Sequence, residues 1–133
     1  MIHEITVQTR IRDQMIDVTA SVQQIVDRSP SDSGVVVCFV PHTTAGITIN
    51  ENADPDVKTD LLAALREEFP QSDRYAHSEG NSDAHIKASL LGFSLQVMFE
   101  KRLLVLGRWQ AIFFCEFDGP RTRKLLVKLV PHA

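Results

Sequence analysis

Hydrophobic and polar positions divide the chain into short extended pieces interrupted by one short and two longer helical stretches. In HEITVQT, residues 3–9, apolar and polar positions alternate so that Ile5 and Val7 share a face; MIDVTA supplies a second extended piece, and the two predict an N-terminal hairpin. Thr19 or Ser21 is placed to cap a short helix through SVQQIVDR, which stops at the turn-forming SPSDSG. GVVVCFV is a continuous β-branched run, the pattern of a strand covered on both sides, and Pro41 closes it. GITINE reads as another short strand. Asp54 followed by Pro55 then gives a helix N-cap with proline in the first turn, and Val57, Leu61, Leu62, Leu65 and Phe69 recur at helical spacing, so that one face of this helix lies on a sheet.

From Pro70 to Asp83 the sequence PQSDRYAHSEGNSD is polar and without period, a long loop of the kind that often carries function. Ser82 or Asp83 is placed to cap a second main helix, AHIKASLLG, closed by Gly92. FSLQVMFE alternates, with Phe93, Leu95, Val97 and Phe99 inward; KRLLVL continues it, and WQAIFFCEF and RKLLVKLV read as two more strands. The order predicts a single domain over residues 1–133 of α+β class: a mostly antiparallel sheet or sandwich carrying two main helices on one side.

Composition narrows the partners. The net charge of −3 offers no basic footprint for nucleic acid, although KRLLVLGR and GPRTRKLLVK put local positive charge near the C-terminal half. No apolar run approaches the roughly 20 residues of a membrane span, and the opening residues fit neither a signal nor a transit peptide, so a cytoplasmic address is expected. Cys38 and Cys115 lie in apolar runs without partners at metal-ligand spacing and are expected to be reduced and buried.

The candidate chemistry lies in three polar clusters. His42 follows a buried strand, His77 sits in the long loop and His85 in the first turn of the second main helix. Three imidazoles plus water make an open zinc site of the catalytic kind, although no local motif ties these three together and a loop histidine is more often simply solvated. Thr43 and Thr44 are placed to receive a phosphate or merely to make a turn. Asn50, Glu51 and Asn52 flank the other side of GITI; turn and cap chemistry explains Asn52 and Asp54 but not Glu51, a carboxylate able to serve as a general base. On the strand that begins at Trp109, Gln110, Ile112, Phe114 and Glu116 point one way and Ala111, Phe113, Cys115 and Phe117 the other. Both faces are mostly apolar, so Glu116 is buried or in a cleft and needs a cation, a metal or a proton. Arg121 and Arg123 could bind phosphate, or Arg121 could pair with Asp118 or Glu116.

Together PHTTAGITINENADPDV, YAHSEGNSDAHIKASLLG and GRWQAIFFCEFDGPR resemble the YjbQ-like family, also called the secondary thiamine-phosphate synthase family, over about the whole chain. The resemblance implies a compact α+β homotrimer with sites near subunit boundaries, a metal or anion at the histidine cluster, and weak thiamine-phosphate synthase activity. It places the family's histidines at His42, His77 and His85 and its acids at Glu51 and Glu116. One departure is Gly107-Arg108-Trp109-Gln110, where the family carries Gly-Thr-Trp-Gln. The function expected is therefore an enzyme on small phosphorylated metabolites, with a divalent metal, zinc, held by the three histidines. Glu51, Glu116 and Arg121 form its catalytic set, and Thr43, Thr44, Asn50, Lys87, Arg108 and Gln110 its substrate-binding set. The alternatives are a non-catalytic trimeric module that binds a metal or a phospholigand, and a scaffold with a structural metal.

Overall fold

The computed structural model describes residues 1–133. In chain order the elements are β1 (Ile2–Gln8), β2 (Gln14–Asp17), α1 (Thr19–Val26), β3 (Gly34–Phe39), β4 (Ala45–Glu51), α2 (Pro55–Glu68), α3 (Ser82–Leu91), β5 (Ser94–Glu100), β6 (Leu103–Leu104), β7 (Gln110–Glu116) and β8 (Thr122–Pro131). Two antiparallel sheets form, one ordered β1-β8-β3-β5-β6 and the other β2-β7-β4. The class is α+β, as the segment order predicts.

Strand β7 explains the layering. Its residues from Ala111 onward are buried on both faces. Ile112 and Phe114 join Val36, Cys38, Val97, Phe99, Leu125 and Val127 of the five-stranded sheet and Val22, Ile25 and Val26 of α1 in one core. Ala111, Phe113, Cys115 and Phe117 face the opposite way, toward Ala84 and Ala88 of α3 and the leucines of α2. The result is three layers, with the three-stranded sheet in the middle. α2 and α3 lie on its outer side, whereas the short α1 packs into the core between the sheets. Asp54 accepts a hydrogen bond from the Asp56 N–H at 2.9 Å with Pro55 in the first turn of α2, as its sequence predicts. Leu61, Leu62 and Leu65 are half-buried, so α2 rests on the sheet by one narrow stripe. Both cysteines are free and buried, and burial pushes each thiol up to about 12.

Local expectations need correction where tertiary partners compete. The N-terminal pieces are not a hairpin: β1 pairs with β8 and β2 with β7, each taking an edge of a different sheet. Neither Thr19 nor Ser21 caps α1. Val18 holds that position; Asp17 accepts the Thr19 N–H at 2.9 Å, and the Thr19 hydroxyl accepts the Ile112 N–H, which ties α1 to β7. Asn81 precedes α3 in place of Ser82 or Asp83, because Asp83 turns inward to two cations. KRLLVL does not continue β5: Lys101 and Arg102, at φ 52° and 57°, fold the chain back so that β6 pairs with it. Finally, β3 buries Val36 and Cys38 but leaves Phe39 exposed, so within one chain only one of its faces is covered.

Candidate functional site

A cavity of about 480 Å³ opens where the β3–β4 connection, the end of β7, the start of β8 and the loop before α3 meet. Its lining is Pro41, His42, Thr43, Thr44, His77, Glu79, Asn81, His85, Asp118, Arg121 and Arg123, with no hydrophobic side chain. The three histidines thus converge from separate turns, together with Thr43, Thr44 and Arg121.

The floor is a buried ion pair. Glu116 is fully buried and accepts from Arg123 Nε at 2.8 Å on one oxygen and from Arg123 Nη2 on the other. Its oxygens also accept from the Thr9 hydroxyl at 2.8 Å and from the Phe117 and Asp118 N–H groups at 3.1 and 3.2 Å. Burial alone would raise this carboxyl; the hydrogen bonds from Arg123 and then Thr9 outweigh it and hold it below the ordinary glutamate range. With both oxygens occupied, Glu116 orients Arg123 and does not itself face a substrate, which corrects its catalytic assignment. Arg123 Nη2 also donates to Thr44 Oγ1 at 2.8 Å. Nη1 makes no hydrogen bond within the chain and remains for a ligand. Arg123 entered the sequence reading only as a possible phosphate ligand. Its place is legible in the β8 alternation, where Arg123, Leu125 and Val127 share the inward face.

Arg121 is half-exposed and pinned to Asp118, donating from Nε to the backbone carbonyl at 2.8 Å and from Nη2 to Oδ2 at 2.9 Å. The turn between them packs tightly: a Cβ on Gly119 would lie 2.3 Å from the Ile11 carbonyl oxygen and 2.9 Å from Glu116 Cγ, so only glycine fits there. The peptide bond from Gly119 to Pro120 is cis.

The imidazoles differ. His42 Nε2 accepts the Lys124 backbone N–H at 2.9 Å, so in the neutral ring the proton is on Nδ1. Burial, and then the charge of Arg123, hold its pKa below the ordinary histidine value. His77 and His85 stand edge to face, ring centroids 5.3 Å apart. Two imidazoles on one tetrahedral zinc ion would sit about 5 Å apart by the usual ligand lengths. The spacing of this pair is close to that value, whereas the Nε2 lone pair of His42 is already engaged by Lys124. No three His, Cys, Asp or Glu side chains are arranged to hold a metal ion.

The remaining candidates lie elsewhere. β4 runs straight, with Ala45 opposite Glu116 at one end and Glu51 opposite Gln110 at the other. At about 3.3 Å per residue Glu51 is roughly 20 Å along the strand from the pocket end. The expectation that Glu51 belongs to the catalytic set beside the three histidines is corrected accordingly, since GITI forms part of an extended strand that carries Glu51 away from the pocket. Asn50 and Gln110 share that distant end, and Gln110 accepts the Gly107 N–H at 2.7 Å. Arg108 stacks on Trp109, 4.8 Å from the ring centroid, at the surface. Lys87 is buried and bound to Asp83 at 2.9 Å, where Arg12 forms a two-pronged pair with the same carboxylate. Burial would raise the Asp83 carboxyl, but Arg12 and then Lys87 hold it below the ordinary aspartate range. Residues 71 positions apart make that pair, and no sequence pattern announces it.

A family model described as UPF0047 protein YjbQ-like matches residues 3–132. The chain belongs to this family. UPF0047 protein YugU of Bacillus subtilis is 47% identical over 131 residues, covering 98% of this chain and 99% of that one. A UPF0047 protein of Methanocaldococcus jannaschii is 45% identical over 130 residues, covering 98% and 94%. A crystal structure of a YjbQ/UPF0047-family protein from Clostridium acetobutylicum superposes with a TM-score of 0.94 at 55% identity, over 96% of this chain and 99% of that one. That of a conserved hypothetical protein from Thermus thermophilus gives 0.90 at 42% identity, over 96% and 99%. No helix is long and apolar enough to cross a membrane.

Proposed function

We propose that the pocket binds the phosphate of a small phosphorylated metabolite and that the chain is a transferase-like enzyme acting at such groups, with the weak thiamine-phosphate synthase activity implied by the YjbQ-like resemblance. One observation carries this reading. Two guanidinium groups, each fixed by a carboxylate, meet in a cavity without a hydrophobic side chain. Arginines held in this way form a preorganised cradle for phosphate and would neutralise a departing diphosphate without reorganising. The Nδ1–H of neutral His42 adds a donor. His77 and His85 are the lining imidazoles that no hydrogen bond engages, whereas Glu116 is saturated and Asp118 is committed to Arg121 and Asn81. Glu79, with a side chain 72% exposed, is the remaining lining carboxylate.

A divalent ion, zinc foremost, would be held by His77 and His85, with His42 joining only by giving up Lys124. When bound it would supply further positive charge beside the phosphate. A homotrimer is proposed on the resemblance and on the outer face of the five-stranded sheet, where Met98, Val35 and Val130 are cross-strand neighbours and Met98 and Val130 are more than half exposed. Phe39 on that face leads through Pro41 to His42, so a neighbouring subunit would border the pocket. The second reading is a trimeric phospholigand-binding module without turnover; it is favoured by the lack of any buried, unpaired carboxylate in the lining.

A thermal-shift screen of phosphorylated metabolites, with and without zinc, tests the proposal. A true ligand at a hundredfold excess over its Kd adds about 2.7 kcal/mol of stability. Arg121→Ala should weaken that ligand roughly tenfold or more, the scale of a lost charge-assisted hydrogen bond. Binding without turnover would select the module, and absence of any phosphorylated ligand would overturn both readings.

A further inference from the structure

The two guanidinium groups of the pocket are held by separate carboxylates, yet one buried atom joins their supports: Oγ1 of Thr9. Thr9 is 1% exposed, follows the last residue of β1 and lines no part of the cavity. Its hydroxyl donates to Glu116 Oε1 at 2.8 Å, and the same oxygen accepts the Arg121 N–H at 2.8 Å. The Arg121 carbonyl also lies 3.0 Å from this oxygen, but a hydroxyl has a single proton to give and the carboxylate is the stronger acceptor. That carbonyl is served instead by the Thr9 N–H at 2.9 Å. Both backbone groups of Arg121 are thus clamped to Thr9, while the Thr9 hydroxyl holds Glu116, which accepts two hydrogen bonds from Arg123. The link spans 107 positions to Glu116 and 112 to the Arg121 main chain, from one end of the sequence to the other.

Either arginine would stay held without this hydroxyl. Glu116 keeps both bonds from Arg123 and those from the Phe117 and Asp118 N–H groups, and the Arg121 side chain keeps both of its bonds to Asp118. What would go is the direct tie between the Arg121 main chain and the Glu116 carboxylate, and with it the register of one cation against the other. We infer that Thr9 is a positioning residue that fixes the spacing of Arg121 and Arg123, so that the two act as one pincer on a single anionic ligand. This rests on the phosphate-binding reading above. Positioning of this kind is in place before the ligand arrives, and its value shows as affinity, because a misplaced cation has to be moved and ordered on binding. The ligand it suits is an anion with several oxygens to share between two guanidinium groups, as a phosphate or diphosphate group has.

The test is the affinity for inorganic pyrophosphate, measured by calorimetry in chelator-treated buffer at a temperature where circular dichroism shows each variant folded. Thr9→Val keeps the shape and removes the hydroxyl; it should bind pyrophosphate about 3- to 10-fold more weakly, the range of one net hydrogen bond, and Thr9→Ser should restore most of the loss. The deciding readout is a double-mutant cycle with Arg121→Ala. With one cation gone there is no spacing left to set, so in that background Thr9→Val should change affinity by less than about twofold, whereas a merely structural Thr9 would cost the same factor in both backgrounds. In the unaltered protein the Arg121 amide and Arg123 Nε–H resonances should follow one saturation curve with pyrophosphate, a reading that depends on no variant folding. Equal losses in the two backgrounds, no loss in Thr9→Val, or separate curves for the two arginines would refute the role of Thr9 and leave the phosphate site standing. If pyrophosphate does not bind the unaltered protein, the phosphate reading fails and the inference falls with it.

Discussion

At the residue scale the account depends on charges fixed by other charges. Removing the charge of Glu116 in Glu116→Gln leaves the Arg123 guanidinium buried without its counterion, an event that costs about 3 kcal/mol or more, so urea denaturation should show a large loss together with weaker phosphate binding. Acid should act through the same groups. Glu116 and Asp83 have carboxyls held below their ordinary values, so the folded state binds these protons less readily than the unfolded chain. Their contribution is complete above the ordinary carboxyl range and is lost as pH falls through the lowered folded values, which places the decline below about pH 4. His42 is likewise lowered, and protonation would break its bond from Lys124; the part of stability it carries is present above its unfolded value near pH 6.5 and fades as pH falls below that. A denaturation series from pH 8 to pH 3 checks both, with a shallow loss preceding a steep one. The demand of Glu116 for a cation was legible in the two-sided apolar pattern of its strand. That the cation is Arg123 and not Arg121 follows from where the strand begins: Arg123 lies on the inward face of β8, whereas Arg121 precedes the strand and stays in the turn with Asp118.

At the element scale, the turns and the strand ends decide which residues meet. Gly119→Ala would drive a methyl group into the Ile11 carbonyl and the stem of Glu116, so melting temperature and ligand affinity should fall together. Asp54→Ala removes only the α2 cap and should cost about 1 kcal/mol in stability with no change in affinity, because no residue of α2 lines the pocket. Glu51→Gln, at the remote end of β4, should leave ligand affinity as it is; a large loss in calorimetry would return Glu51 to the site. Most strands and α2 could be read from periodicity because their burial follows it, whereas α3 was legible only from its ends, since its buried face carries Asp83 and Lys87 beside Ala84 and Ala88. Caps and pairings could not: Thr19, Asp83 and the two N-terminal strands take partners far along the chain, and local preference gives way to them. The same limit hid Asn81 and Asp118, whose residue types are accounted for by turn chemistry until the loop and the β7–β8 turn are seen side by side.

For the whole molecule, one chain supplies a polar cavity and, beside it, an uncovered apolar sheet face. The homotrimer proposal predicts a light-scattering mass near three times 14.9 kDa. Met98→Lys, which places a charge among Val35 and Val130, should shift that mass toward the single chain while leaving the core intact. The central claim is narrower, that His42, His77, His85 and the two arginines form one phosphate site. The most direct measurement is a titration of the protein with inorganic pyrophosphate, followed through the imidazole resonances of its five histidines by NMR. The account predicts that the signals of His42, His77 and His85 move together along one saturating curve while those of His3 and His132 stay in place. Signals of the three that remain still, or that move no more than those of His3 and His132, would contradict it.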